Sequence, residues 1–330
     1  MKRKAVSLLS GGLDSLLATK LVMEQGIEME ALHFTSPFCN CTQGDKGCGL
    51  QAVRSAKELG VKVTVKLKGL DYIEMIRSPK HGYGKNINPC IDCRIFMLKI
   101  AREFMDEIGA SFVITGEVLG QRPMSQRRDA IRLIERESCL EGLILRPLSA
   151  QHFSPTIPET EGIVDRERLL DIAGRSRKTQ YELVDSYGLN EFSCPGGGCL
   201  LTDRIFADKV RDLLAFNSNV TMKDMALLKI GRHFRLDAET KLILGRNQSE
   251  NERLNAVHEP PNILFEPLDF KGPTGLLIGP SDGNHLELSV NIMAFYAKRD
   301  TFPVLVELNN GSVSSYNAQK ISLDLDSLRI

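Results

Sequence analysis

Lys4-Ala5-Val6-Ser7-Leu8-Leu9-Ser10-Gly11-Gly12-Leu13-Asp14-Ser15 is an apolar, strand-forming run that breaks on a Ser-Gly-Gly turn and passes straight into a helical pattern. Adjacent glycines reach backbone conformations closed to other residues, so successive N–H groups of the turn can face one anion. The helix beginning at Asp14 or Ser15 adds its positive end, and Ser10 and Ser15 add hydroxyl donors. The pattern is a phosphate cradle. It is not a Walker A loop, whose Lys-[Ser/Thr] pair is missing, nor is it GxGxxG.

Around this turn, short apolar runs alternate with helical patterns, the signature of a parallel sheet covered by helices. Strands are expected at residues 4–9, 28–34, 61–66, 112–115 and 143–146, and helices at 14–24, 50–59, 70–76 and 91–108. This is an α/β, doubly wound domain. Its ligand crevice should lie at the carboxyl ends of the strands, where the first turn and the stretches after Phe34 and Thr115 all fall. From Pro155 to Leu189 the pattern reads helical and basic, and a Gly-rich stretch, Cys194-Pro195-Gly196-Gly197-Gly198-Cys199, follows. The boundary is expected between residues 218 and 219, after a cysteine-bearing segment at 155–205. Residues 219–330 read as a smaller α+β domain with strands at 231–236 and 241–245, a helix at 249–257 and further strands through Val313.

A chain of 330 residues can bury two cores. With 42% apolar and 25% charged residues it has the composition of a folded, water-soluble protein. The net charge is zero, so a polyanionic partner needs a local basic face. The basic start runs into an apolar stretch that breaks at Ser10 without a cleavage site, and no run approaches the roughly eighteen residues of a membrane span. A cytoplasmic protein without membrane partners is expected. In that reducing setting the eight cysteines should bind metal or do redox chemistry rather than form structural disulfides.

Asn88-Pro89-Cys90-Ile91-Asp92-Cys93 opens a long helix, where a CxxC can aim both sulfurs at one metal and the helix dipole favours thiolate. Cys194 and Cys199 are the candidate partners from downstream. Cys90, Cys93, Cys194 and Cys199 could hold zinc or an iron-sulfur cluster, for which three of the four suffice, or pass sulfur as a persulfide. A cluster held by three cysteines leaves one iron open to a ligand such as sulfide. Cys39, Cys41 and Cys48 edge the same crevice with a spacing that is no standard zinc pattern, and Cys139 reads as structural. His81 and His233 read as hydrogen-bonded structural residues.

The Ser10–Ser15 turn resembles the SGGxDS loop of the PP-loop ATP pyrophosphatases, of HUP-like fold. With NPCxxC at Asn88–Cys93, the first half looks like their tRNA thiolation enzymes, similar to the MnmA-like 2-thiouridylases; the paired cysteines resemble those of the cluster-dependent TtuA and TtcA thiolases. Gly174-Arg175-Ser176-Arg177-Lys178, followed by Pro195 to Asp203, resembles a thiouridylase-like subgroup. Gly231–Leu236 and Leu244–Glu252 resemble the RNA-binding domain of the NFACT proteins. The resemblance implies that Ser10, Gly11, Gly12, Asp14 and Ser15 grip ATP, with Asp14 helping to place Mg2+, while Phe34, Thr115 and Gly116 flank the nucleotide. It implies adenylation of a tRNA uridine carbonyl, then sulfur insertion with Asp14, Cys90, Cys93 and Cys199 in catalytic roles, the cofactors being ATP, Mg2+ and a 4Fe-4S cluster or zinc. Sulfur would come from sulfide, a cysteine desulfurase or a sulfur carrier. Arg175, Arg177 and Lys178, and separately Arg232, Arg235 and Arg246, form cationic clusters suited to RNA phosphates. Two rival readings remain: an amide or nitrile synthetase acting on an adenylated carboxylate, and a non-catalytic RNA-binding protein with a nucleotide pocket.

Overall fold

The computed structural model describes residues 2–39, 48–193, 198–268, 270–280, 282–297, 304–308, 311–316 and 325–330, with the backbone alone at Cys48. Cys41, Cys194 and residues 195–197 of the Gly-rich stretch lie outside the described residues. The chain divides into two compact units, Met1–Thr202 and Asp203–Ile330.

The first unit is built on strands β1 (Lys4–Leu8), β2 (Glu28–Thr35), β3 (Lys62–Leu67), β4 (Phe112–Thr115) and β5 (Ile144–Leu145). They form one parallel sheet in the order β3-β2-β1-β4-β5. Helices α1 (Leu13–Met23), α2 (Cys48–Leu59), α3 (Leu70–Arg77), α4 (Cys90–Glu107), α5 (Arg128–Glu137), α6 (Ile157–Thr160) and α7 (Lys178–Tyr187) complete it. β1 is central, and Ala5 and Val6 are fully buried. α4 turns Ile95, Leu98, Ala101, Phe104 and Met105 inward at helical spacing. Each of these side chains larger than alanine contributes about 1.5–3 kcal/mol by burial.

The strand order reverses at β1, with β2 on one side and β4 on the other. Leu8 stands opposite both Leu32 and Thr115, so β1 and β4 end level, β2 runs three residues further to Thr35, and the loops that follow all three open on one edge. The expected strands and helices of this half appear within two residues of their expected ends. Two readings need correction. α5 was not anticipated, although Ala130, Ile131 and Ile134 give it a buried stripe. The stretch 155–189 is mostly irregular, with α6, α7 and a single 3-10 turn at Arg166–Arg168.

The second unit contains α8 (Arg204–Phe216), α9 (Met222–Leu227), β6 (Arg232–Arg235), β7 (Lys241–Leu244), α10 (Gln248–Val257), β8 (Ile263–Pro267), β9 (Gly275–Ile278), α11 (Gly283–Tyr296), β10 (Val304–Leu308), β11 (Val313–Tyr316) and α12 (Leu325–Leu328). Its sheet is antiparallel, in the order β11-β10-β8-β9-β7-β6. α8 groups here, ahead of the boundary expected at 218/219, because its polar face is tied to the sheet. Asp212 pairs with Arg235 and Lys241, each at 2.7 Å, and Lys209 donates to the Gly231 carbonyl at 2.8 Å. α11 replaces an expected strand; Asp282 caps it by accepting from the His285 amide, and Val290, Ile292 and Met293 bury against the sheet. Among the described residues no helix is long and apolar enough to cross a membrane.

Candidate active site

The turn after β1 is held by its own hydroxyls. Ser15 Oγ accepts from the Ser10 amide at 3.1 Å and donates to the Gly12 carbonyl at 2.9 Å, while Ser10 Oγ lies 3.0 Å from Ser15 Oγ. Gly11 has φ +78°, and a Cβ there would stand 2.8 Å from the Ala52 nitrogen of α2. Only glycine meets both demands. From the neighbouring strand, Gly116 packs so closely that a Cβ would fall 2.5 Å from the Asp14 carbonyl carbon and the Ser15 nitrogen. Ser10 to Ser15, Thr115 and Gly116 are thus brought together as the sequence implied. The Ser193 amide donates to the Gly11 carbonyl at 2.8 Å, joining a distant segment to the turn.

Asp14 is more engaged than the sequence suggested. Gln121 donates to one carboxylate oxygen at 2.8 Å, Gln180 to the other at 3.4 Å, and the Arg177 guanidinium stands 3.7 Å away. Arg177 therefore stands beside the Asp14 carboxylate of the turn rather than on an open basic face.

A cavity of about 390 Å3 opens beside the turn, and Ser10, Phe34, Cys39, Cys90, Cys93 and Cys199 all line it. Cys90 and Cys93 enter from the first turn of α4. Cys93 Sγ accepts from Tyr72 Oη at 3.1 Å and Lys68 Nζ at 3.4 Å, and Cys90 Sγ accepts from Asn88 Nδ2 at 2.9 Å. Burial, then the neighbouring Cys93 charge, raises the Cys90 thiol; burial pushes Cys199 up to about 11. Both are thiols at neutral pH unless a metal or an acceptor takes the proton. Among the described residues, no three His, Cys, Asp or Glu side chains are already drawn to metal-binding separation. The number, kind and burial of the thiols nevertheless suit a sulfur-rich centre.

Behind the cavity wall lies a charge network that sequence reading missed. Burial opposes ionisation of Glu117, but Arg94 at 3.3 Å and Arg146 at 3.0 Å outweigh it and hold the carboxyl below its ordinary range. Arg146 also pairs with Glu135. Arg94 and Arg122 reach the cavity near Cys90. The available signal was Glu117 itself, a charge two residues beyond the buried strand β4.

The expected RNA-contacting residues are not gathered equally. Arg175 and Lys178 are exposed. In the second unit, Arg235 is locked by two hydrogen bonds to Asp212 at 2.8 and 2.7 Å, Arg246 pairs with Glu250 and stays half-exposed, and Arg232 lies 4.6 Å over the Tyr296 ring. His233 is buried and hydrogen-bonded to the Ile230 carbonyl at 2.8 Å, and His81 lies 3.6 Å from Glu137; both are structural placements.

Residues 1–153 match the family described as Thiamine biosynthesis protein (ThiI), and residues 231–324 match the NFACT protein RNA binding domain. Over 150 residues the chain is 31% identical to a probable tRNA sulfurtransferase of Lysinibacillus sphaericus, covering 44% of this chain and 34% of that protein. Over 177 residues it is 30% identical to a probable tRNA sulfurtransferase of Thermococcus kodakarensis, covering 52% and 40%. The chain thus spans between about a third and two fifths of these curated relatives' length. A solved 4-thiouridine synthetase–RNA complex with bound ATP aligns at TM-score 0.38 and 23% identity, covering 68% of this chain and 52% of that one. The two likenesses read from the sequence, to tRNA thiolation enzymes in the first half and to an NFACT RNA-binding domain in the second, are borne out over these stretches.

Proposed function

We propose that the protein is an ATP-dependent tRNA sulfurtransferase: it adenylates a uridine carbonyl oxygen, then exchanges that oxygen for sulfur, releasing pyrophosphate and AMP. The observation that carries this reading is one cavity wall shared by Ser10 of the phosphate turn and by Cys90, Cys93 and Cys199. Carbonyl activation and sulfur delivery then need no transport between sites.

In this reading the amides of the turn and the start of α1 hold the two outer phosphates of ATP, leaving the α-phosphate open to the base oxygen. Charge growing on the departing pyrophosphate meets N–H dipoles already fixed by Ser10 and Ser15, so little reorganisation is required. Phe34 and Thr115–Gly116 flank the nucleotide. Asp14, steadied by Gln121 and Gln180, is the carboxylate suited to Mg2+ accompanying the triphosphate. Three of Cys90, Cys93, Cys194 and Cys199 would hold a 4Fe-4S cluster, or all four zinc, and a cluster held by three would supply an open iron for sulfide from the donor. Arg175, Lys178, Arg232 and Arg246 are the proposed phosphate contacts to tRNA, and its Kd should rise steeply with salt. The setting of this chemistry is the cytoplasm.

Incubation with tRNA, ATP labelled on the α-phosphate and sulfide tests the reading. AMP should accumulate in step with thiolated nucleoside; formation of ADP would overturn it. Cys199→Ser should lower thiolated nucleoside about tenfold, or ~1.4 kcal/mol, while RNA-dependent pyrophosphate release persists and labelled AMP stays attached to the RNA. Loss of pyrophosphate release as well would assign Cys199 to the nucleotide rather than to sulfur. Anaerobic metal analysis and an absorption spectrum of the same preparation distinguish cluster from zinc.

A further inference from the structure

The segment leaving β2 meets the segment carrying Cys199 in a single antiparallel bridge, Cys39 opposite Cys199. The Leu200 amide donates to the Phe38 carbonyl at 2.9 Å. That bond joins the residues flanking the two cysteines, which makes Cys39 and Cys199 a non-hydrogen-bonded pair. Such pairs hold their Cα atoms about 4.5 Å apart with side chains on one face. A disulfide accepts Cα separations of roughly 4.4–6.8 Å, so this pair can close without moving the backbone.

Both cysteines line the cavity, and so does His33, which is 3% exposed. Its Nδ1 donates to the Leu9 carbonyl at 2.8 Å, so the neutral ring carries its lone pair on Nε2, which is buried without a partner. Burial holds the ring's pKa below its ordinary value, the Leu9 bond and a Cys39 thiolate charge only partly opposing it, so the ring is neutral and Nε2 can take a proton. A proton leaving Cys39 therefore has an acceptor inside the cavity.

We propose that Cys39 and Cys199 are a site of reversible oxidation, forming a disulfide that withdraws Cys199 from the sulfur chemistry of the cavity. The consequence rests on the proposed sulfur-transfer function; the bond itself does not. A low-molecular-weight disulfide is the oxidant. Cys39 Sγ attacks it and one small thiolate departs; Cys199 Sγ then attacks the Cys39 sulfur and the second departs. Two electrons pass from the cysteine pair to the oxidant, and the two protons finish on the released small thiols, the first by way of His33 Nε2. The new bond pins the segment after β2 to the Cys199 segment across the cavity wall.

The full chain, reduced and then titrated in glutathione redox buffers, is alkylated and mapped by peptide mass spectrometry. The first disulfide to form should join Cys39 to Cys199, while exposed Cys139 gives only a glutathione adduct. Any other first pair, Cys90–Cys93 or Cys93–Cys199 included, overturns the proposal. Oxidised protein should lose thiolation at least tenfold and regain it with dithiothreitol. Cys39→Ser, compared with its own reduced rate, should resist the same treatment with Cys199 still open to alkylation; equal inactivation of this variant overturns the proposal too. If reduced protein forms no AMP with tRNA, the sulfurtransferase reading fails, and the mapped cross-link still decides the disulfide.

Discussion

Gly116→Ala is expected to lower ATP affinity by two to three orders of magnitude, about 3–4 kcal/mol, through the shape of the turn it packs on. The added methyl would sit 2.5 Å from backbone atoms of Asp14 and Ser15, and neither can yield without displacing the start of α1. Overpacking against backbone cannot be relieved by a rotamer change. The turn must shift, and its amides then no longer point at one anion. Gly188→Ala is the control: its φ is +64°, but nothing lies within 4 Å of the added carbon, so only local backbone strain of about 1 kcal/mol is introduced. Calorimetric titration of ATP into both variants checks the pair. Equal affinities would mean that close packing of β4 on the turn does not shape the phosphate site.

Replacement of Glu117 by Gln should destabilise the first unit by about 3–5 kcal/mol at neutral pH, because it leaves Arg94 and Arg146 against a neutral amide where 3% exposure gives Arg146 no water to turn to. The pH dependence has a definite sign. Glu117 has its native pKa depressed below 4.5, so its stabilisation is fully present above that ordinary value and is lost as pH falls through the lower native one. Urea unfolding of wild type and variant should therefore differ most at neutral pH and converge in acid. A gap that stays constant down to about pH 3 would show that the carboxylate charge is not what holds the two arginines. Because Arg94 also lines the cavity, the variant should bind ATP or RNA more weakly even where it remains folded.

The parallel sheet was legible because each strand is a short apolar run and the Ser-Gly-Gly turn has one good physical use. The cradle residues were legible for the same reason: they are contiguous. The partners of Asp14 were not, since Gln121 and Gln180 lie 107 and 166 residues away and carry no pattern of their own. The convergence of Cys90, Cys93 and Cys199 could be anticipated from chemistry, whereas the pairing of Cys39 with Cys199 depends on a two-residue bridge that leaves no periodic trace. Arg235 misled because basic residues in sequence do not reveal their acidic partners; Asp212 lies on α8, which falls before the boundary expected at 218/219. α11 was lost because residues 289–294 are buried in an unbroken run that includes polar Ser289 and Asn291, which erases the helical period that separates a buried helix from a strand.

The amide of Ser193, clasped by the carbonyl of Gly11, ties a residue far along the chain to the Ser-Gly-Gly turn, the proposed seat of the triphosphate. Whatever stiffens that turn also holds this bond. Exchange of this one amide with deuterated solvent should slow when nucleotide arrives, so a single backbone hydrogen would report whether the enzyme is loaded before its second substrate is met.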